Sequence, residues 1–358
     1  MKIGFCHFWL ILQFMVVASV VAEIVPVVAE ITTVDTTTAP STLLGADTIM
    51  RPDPEDVPTK VSVGIYVYDL AKVSDVDTTF TVDFFLLLKW HDSRLASSSQ
   101  ASPGVYRQFK LGEVWDPHVT VINERNLSRR FRDIVKVDPE GNVTYFQRYQ
   151  GTLSFDHQLE EFPFDAHVLP IELVAAGYGP EEVEFLVWEE KIARGVTLSI
   201  VDWEIGPGAA RVSPVYISPA KRHIACFYYE LPAKRYTSFY IWKVIVPLSM
   251  IVFMSFAVFW IDLTQVGTRM NIAAASVLTI IFFQFHLGKL IPWAPYFTRV
   301  DYFSLGSMLL VFLALAQAVS GNALAKGGHE SLALNIQWWS RLLFPASFVA
   351  LIIIAFLI

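Results

Sequence analysis

Cysteine is almost absent: 358 residues contain two, Cys6 and Cys226. Cys6 sits in an apolar stretch with the marks of a secretory signal, so maturation would leave Cys226 alone and exclude an internal disulfide. Cysteine pairs at metal-ligand spacing are missing, and none of the eight histidines falls in a His-Glu-x-x-His pattern, which excludes the common zinc sites. There is no Gly-Lys-Ser phosphate loop, no nucleophile elbow and no basic, aromatic-rich stripe for nucleic acid. Charge is scarce as well, at 17% of residues against 54% hydrophobic. These gaps speak against a cofactor, a catalytic constellation or a nucleic-acid partner.

What is present divides the chain in two. From Ser238 onward there are six basic and three acidic residues, whereas the first 237 residues carry 31 acidic and 21 basic ones, a balance of −10. Residues 1–22 read as a signal peptide: a lone Lys2, an apolar core from Phe8 to Val21 and a small residue, Ala22, before Glu23. A retained anchor helix is the alternative, because Ile24 to Val28 prolong the apolar run. Residues 23–58, rich in Thr, Pro and acids, hold too few core-forming residues to fold alone and read as a tether.

Across residues 59–237, short runs of alternating, β-branched and aromatic residues recur between turn signals, as in Val61 to Tyr68, Thr79 to Trp90, Asn142 to Phe155, Val168 to Ala175 and Ile224 to Leu231. This punctuation predicts an exported, extracellular all-β domain, an immunoglobulin-like antiparallel sandwich. Residues 238–358 contain four apolar segments, near Phe239 to Ile261, Val266 to Leu287, Tyr302 to Val319 and Trp338 to Ile358, each long enough to cross a bilayer. They predict an all-α, four-helix transmembrane domain whose C-terminus returns to the exported side. Its connections are short, the longest being about twenty residues around Lys326 to His329.

The second segment carries a stripe at helical spacing: Gly267, Asn271, Ala275, Leu278, Phe282, Phe285 and Lys289. It passes from small and polar to bulky and apolar, which suits a pore with a wettable end and a gate of Leu278, Phe282 and Phe285. A packing face is the competing reading, since Ala273, Ala274 and Ala275 would let helices approach closely.

Phe162-Pro163-Phe164-Asp165, preceded by Trp90-His91-Asp92-Ser93-Arg94-Leu95 and Trp115-Asp116-Pro117 and followed by Arg235 before the first span, resembles the pentameric ligand-gated ion channels of the Cys-loop receptor superfamily. The resemblance runs from Lys60 to the end of the chain. Phe155 and Leu169 stand where the loop cysteines would be, as in bacterial members. It implies a homopentamer in a bacterial inner membrane, lipid around it, and a pore lined by the second span.

By the same resemblance, Phe162, Pro163, Phe164 and Asp165 form a coupling loop, and Arg235 pairs with Asp165 and with Asp75 or Asp77. Pro292 lies in the linker receiving the movement. Trp90 and an Asp92–Arg94 pair are expected to be structural. The matching agonist positions are Phe85, Tyr178 and Tyr216, while Ile122 and Ala176 replace aromatics of the acetylcholine-binding relatives. A box with fewer π faces holds a quaternary ammonium less well, which leaves a small amine, an aromatic acid or the proton as agonist. His118, His157, His167, His223 and His286 keep the proton reading open.

The acidic exported half predicts a preference for monovalent cations, with anion selectivity as the runner-up because Thr268 precedes Arg269 where cationic relatives carry Glu. Arg269 is expected to point away from the lumen. Two other classes compete: a non-conducting membrane-anchored binding receptor, and a hydrolase on a membrane anchor, for which no catalytic set exists.

Overall fold

The computed structural model describes residues 46–53, 57–97, 106–218, 221–291 and 294–357. The signal-peptide expectation, much of the tether and Pro292 lie outside these residues. Two layers of strand precede four long helices, so the all-β and all-α halves follow in the expected order.

The first sheet contains β1 (Thr59–Ser74), β2 (Thr79–His91), β3 (Arg107–Lys110), β5 (Glu124–Arg129), β6 (Ile134–Val137), β7 (Asn142–Ser154) and β9 (Val183–Arg194), along the path β3-β6-β7-β2-β1-β9 with β5 also on β7. The second contains β4 (Val119–Val121), β8 (Ala166–Ala175), β10 (Trp203–Ile205), β11 (Ala209–Val212) and β14 (Cys226–Arg235), ordered β10-β14-β8-β4 with β11 on β14. A separate hairpin joins β12 (Val215–Ile217) to β13 (Arg222–Ile224). The sandwich is not wholly antiparallel, because β1 pairs with β9 in parallel.

Alternation decides which side chains fill the sandwich. Val82, Phe84 and Leu86 of β2 point inward and are buried, while Phe85 between them is on the opposite face. Trp90 and Trp115 meet edge to face at 6.0 Å in this core, and the Arg94 guanidinium bonds both oxygens of Asp92. Phe155 and Leu169 are both buried, so apolar packing occupies the positions where the resemblance would put a disulfide. Cys226 is buried and free.

Four helices long and apolar enough to cross a membrane follow: α1 (Ser238–Trp260), α2 (Val266–Leu287), α3 (Arg299–Lys326) and α4 (Glu330–Leu357). Within α1 the hydrogen bonding widens to π geometry over Ile241–Ile245, next to Pro247, which has no amide hydrogen to return to the carbonyl of Lys243. Two helices exceed the apolar segments that predicted them. α3 starts early because Thr298 and Asp301 cap each other reciprocally, and it continues through polar Asn322 and Lys326 until Gly327 and Gly328. The twenty-residue connection expected before the last span is therefore three residues, Gly327 to His329. At the far end from the sandwich, Gln337 and Arg341 of α4 donate to the carbonyls of Phe259 and Ile261, satisfying acceptors that the end of α1 leaves open.

Candidate functional site: a domain junction and an unpartnered helix face

β14 runs directly into α1, so its last residue, Arg235, is fixed at the junction of the two halves. The side chain is 4% exposed. Its guanidinium grips Asp165 through Nε at 2.8 Å and Nη2 at 2.9 Å, and Nη2 also reaches Asp75 at 2.8 Å. The ring of Trp203 lies 4.1 Å from the guanidinium carbon and that of Phe162 5.0 Å. Asp75 is thus the partner on the β1–β2 turn. Asp77 is not, because it turns away to accept from the Ser74 hydroxyl at 2.7 Å.

Two histidines close this network, which the motifs did not reveal. His167 meets Asp165 at 2.7 Å and His157 meets Asp75 at 3.1 Å, with their rings 5.0 Å apart. Alternation along β8 could have flagged His167, two residues after Asp165 and so on the same side. Burial pushes the Asp165 carboxyl up, but hydrogen bonds from His167 and Arg235 and the Arg235 charge outweigh it and bring it down to about 2. Burial also opposes ionisation of Asp75, and its His157 and Arg235 partners win there too.

A folded pKa below the unfolded value means that stability is present above about pH 4 and is lost as pH falls through 2. Melting of the full chain should accordingly lose about 2–3 kcal/mol of stability between pH 5 and pH 2. Asp165→Asn should flatten that slope, and an unchanged slope would remove Asp165 from the account.

The Phe162–Asp165 loop enters the top of the helical bundle. The Phe162–Pro163 peptide is cis, and Phe162 is fully buried in a cluster with Leu159, Val244, Leu287 and Val300, which brings together α1, α2 and α3. The Leu159 amide donates to the Tyr296 hydroxyl at 2.8 Å, and the Arg299 amide donates to the Glu160 carbonyl. Glu161 pairs with Arg299 at 3.2 Å. Phe164 meets Phe356 of α4 edge to face at 5.8 Å. Displacement of this loop would act on all four helices.

On α2 every stripe residue from Gly267 to Phe285 is exposed in the single chain, as is Lys289 in the turn beyond Gly288. Leu278 is 56%, Phe282 65% and Phe285 72% exposed. Arg269, Ala273, Ser276, Ile280 and Leu287 are buried. At 100° per residue the two sets are centred roughly 170° apart, so one face packs and the opposite one is unpartnered. Ala273 alone of the three alanines serves the packing reading, against Val258 and Ala318. Arg269 points to the packed side, as expected, and is 0% exposed.

The three agonist positions fall in separate groups. Phe85 stacks on Phe146 at 5.3 Å beneath the Arg148 guanidinium, which is held in turn by Asp83. Tyr178 stacks on His118 and accepts from the Trp115 indole at 3.0 Å. Tyr216 meets His223 across the β12–β13 hairpin. Among the described residues no ring contact joins one group to another.

Residues 41–204 match the sequence model of the neurotransmitter-gated ion-channel ligand binding domain, and residues 244–354 that of the neurotransmitter-gated ion-channel transmembrane region. A proton-gated ion channel of Gloeobacter violaceus is 27% identical over 317 residues, 87% of each chain. A γ-aminobutyric acid receptor subunit alpha-2 of Bos taurus is 23% identical over 293 residues, 79% of this chain and 64% of the bovine one. These relatives are channels and receptors rather than enzymes. A β-sandwich that packs through buried Phe162 on four membrane-length helices, matched in both halves, makes this chain a multi-pass membrane protein of the pentameric ligand-gated ion-channel family.

Proposed function

We propose that five copies of this chain surround an axis and that the exposed face of α2 from each lines an ion pathway gated at Leu278, Phe282 and Phe285. The observation carrying this reading is the opposition of a packed and an unpartnered face on a helix inside a membrane-length bundle. Asn271 and Lys289 on the open face are costly against lipid and comfortable against water. A cleft between neighbouring sandwiches would let Phe85 of one chain face Tyr178 and Tyr216 of the next. The agonist is then a small amine, an aromatic acid or the proton, in keeping with the names of the two relatives.

Monovalent cations are the proposed permeant ions, because the −10 balance of the first 237 residues is repeated five times around one vestibule. A specific observation favours the opposite selectivity. The exposed face of α2 carries no carboxylate, Lys289 stands at its outer end, and the Arg269 charge behind its inner end has no ion-pair partner among the described residues. Distance separates the two readings: screening confines the vestibule field to about 8–10 Å, whereas the α2 charges sit beside the ion's path. Insertion in a bacterial inner membrane, sandwich outward, is the matching topology.

Purified protein in lipid bilayers tests the whole reading. A pentameric mass and single-channel currents are expected, with a reversal potential near the cation equilibrium value in an asymmetric NaCl gradient. A value near the chloride potential would establish the anion reading, and a stable pentamer without conductance would establish a binding receptor.

A further inference from the structure

At the end of the bundle away from the sandwich, α2 presents a buried charge that has no ion-pair partner among the described residues. Arg269 is 0% exposed and reaches α3, where Nη1 donates to the Asn322 side-chain carbonyl at 3.0 Å. That bond uses one edge of the guanidinium. Nε and Nη2, the pair that can grip one anion with two parallel N–H groups, have no partner.

Neither do both polar atoms of Gln317 or the Asn322 amide nitrogen, on side chains only 8% and 6% exposed. Asp262 on the α1–α2 loop is exposed and caps the Thr264 amide instead. Buried donors and a buried charge left in this state are strongly disfavoured, so an occupant must supply what the chain does not.

Gly321 locates the position. A Cβ built there would lie 3.8 Å from Arg269 Nη2, 3.8 Å from Gln317 Nε2 and 3.9 Å from Arg269 Nη1. Glycine therefore leaves a bare spot where several nitrogens converge. Water could accept some of these hydrogen bonds but would leave the guanidinium without a contacting anion, since Asp262 acts on it only from the loop. The near-complete burial of all three side chains leaves no opening for a lipid headgroup.

We propose that Arg269, Gln317 and Asn322 bind a small monovalent inorganic anion of the chloride class beside Gly321, behind α2 and off the ion pathway. The anion joins α2 to α3 by neutralising Arg269. The inference needs only the helical bundle and stands whether or not the pore conducts.

Chloride and bromide are the probes, on the full-length assembled protein. At equal ionic strength, melting in sodium chloride should exceed melting in sodium gluconate by about 2–4 °C when chloride is tenfold over its dissociation constant. Gly321→Ala places a methyl group at ordinary contact distance among the donors while keeping all of them, so it should abolish the chloride increment with little change of melting in gluconate. Arg269→Gln should also abolish the increment.

Crystals grown in bromide should show anomalous scattering beside Arg269. The proposal is overturned if the increment is absent in the unmodified protein or persists in Gly321→Ala. It is equally overturned by an ordered water without anomalous signal, or by a headgroup phosphate, at that position.

Discussion

Arg235→Gln is expected to abolish agonist-evoked current and to cost about 3–5 kcal/mol of stability, because it strands two acids that the fold has already removed from water. Asp165 is 2% and the Asp75 side chain 15% exposed, and each has Arg235 as its cationic partner alongside a histidine. Against a typical folding stability of about 5–15 kcal/mol, such a loss is large. Loss of current alone would not separate failed coupling from failed folding, so Arg235→Lys belongs in the same experiment. Lysine retains the charge but not the planar fork that spans Asp165 and Asp75 together, and it should assemble with weakened activation. Surface expression, melting and dose–response curves measure this. A glutamine variant that melts and activates like the parent would remove the network from both roles.

Leu278→Ser is the second large effect, in the opposite direction. A ring of apolar side chains stops ions by excluding water, and five serines at the same level admit it. Burial of a leucine side chain is worth about 1.5–3 kcal/mol, and every 1.4 kcal/mol of difference between closed and open forms is tenfold in their ratio. Even a small part of that energy, multiplied by five copies, should raise resting conductance or shift the agonist concentration for half-activation at least about tenfold. Leu278 is exposed on the unpartnered face, so the substitution removes no packing within the chain. An unchanged activation curve at normal expression would place the gate elsewhere, with Phe282 and Phe285 next to be tested.

Much of this was readable from residue order because each signal was local. The α2 stripe is a matter of spacing, and a helix of uniform geometry turns spacing into a face, here the one opposite the buried Arg269, Ala273, Ser276, Ile280 and Leu287. The partners of Arg235 were narrowed to three acids but not two. Asp75 and Asp77 sit on one tight turn, next to Thr78 at a positive φ of 52°, and the path of that turn decides which carboxylate faces the junction. His157 could not be joined to its acid without the fold, since the His157–Asp75 contact spans 82 positions. The third and fourth helices outran their apolar segments because hydropathy marks what can sit in lipid, while capping marks where a helix stops. The orphaned donors around Gly321 had no sequence signature at all, being a property of two helices in contact.

Phe155 and Leu169, both buried, flank the Phe162–Asp165 loop at the positions where a sulfur bridge could have stood. Reducing agents therefore have no bond to break there, and the junction is indifferent to the redox poise around it. Temperature takes the place of redox as the variable that matters, since burial of apolar surface weakens on cooling whereas a covalent bridge does not. Apolar packing at the two flanks of the loop should therefore loosen toward the cold, where a covalent bridge would hold.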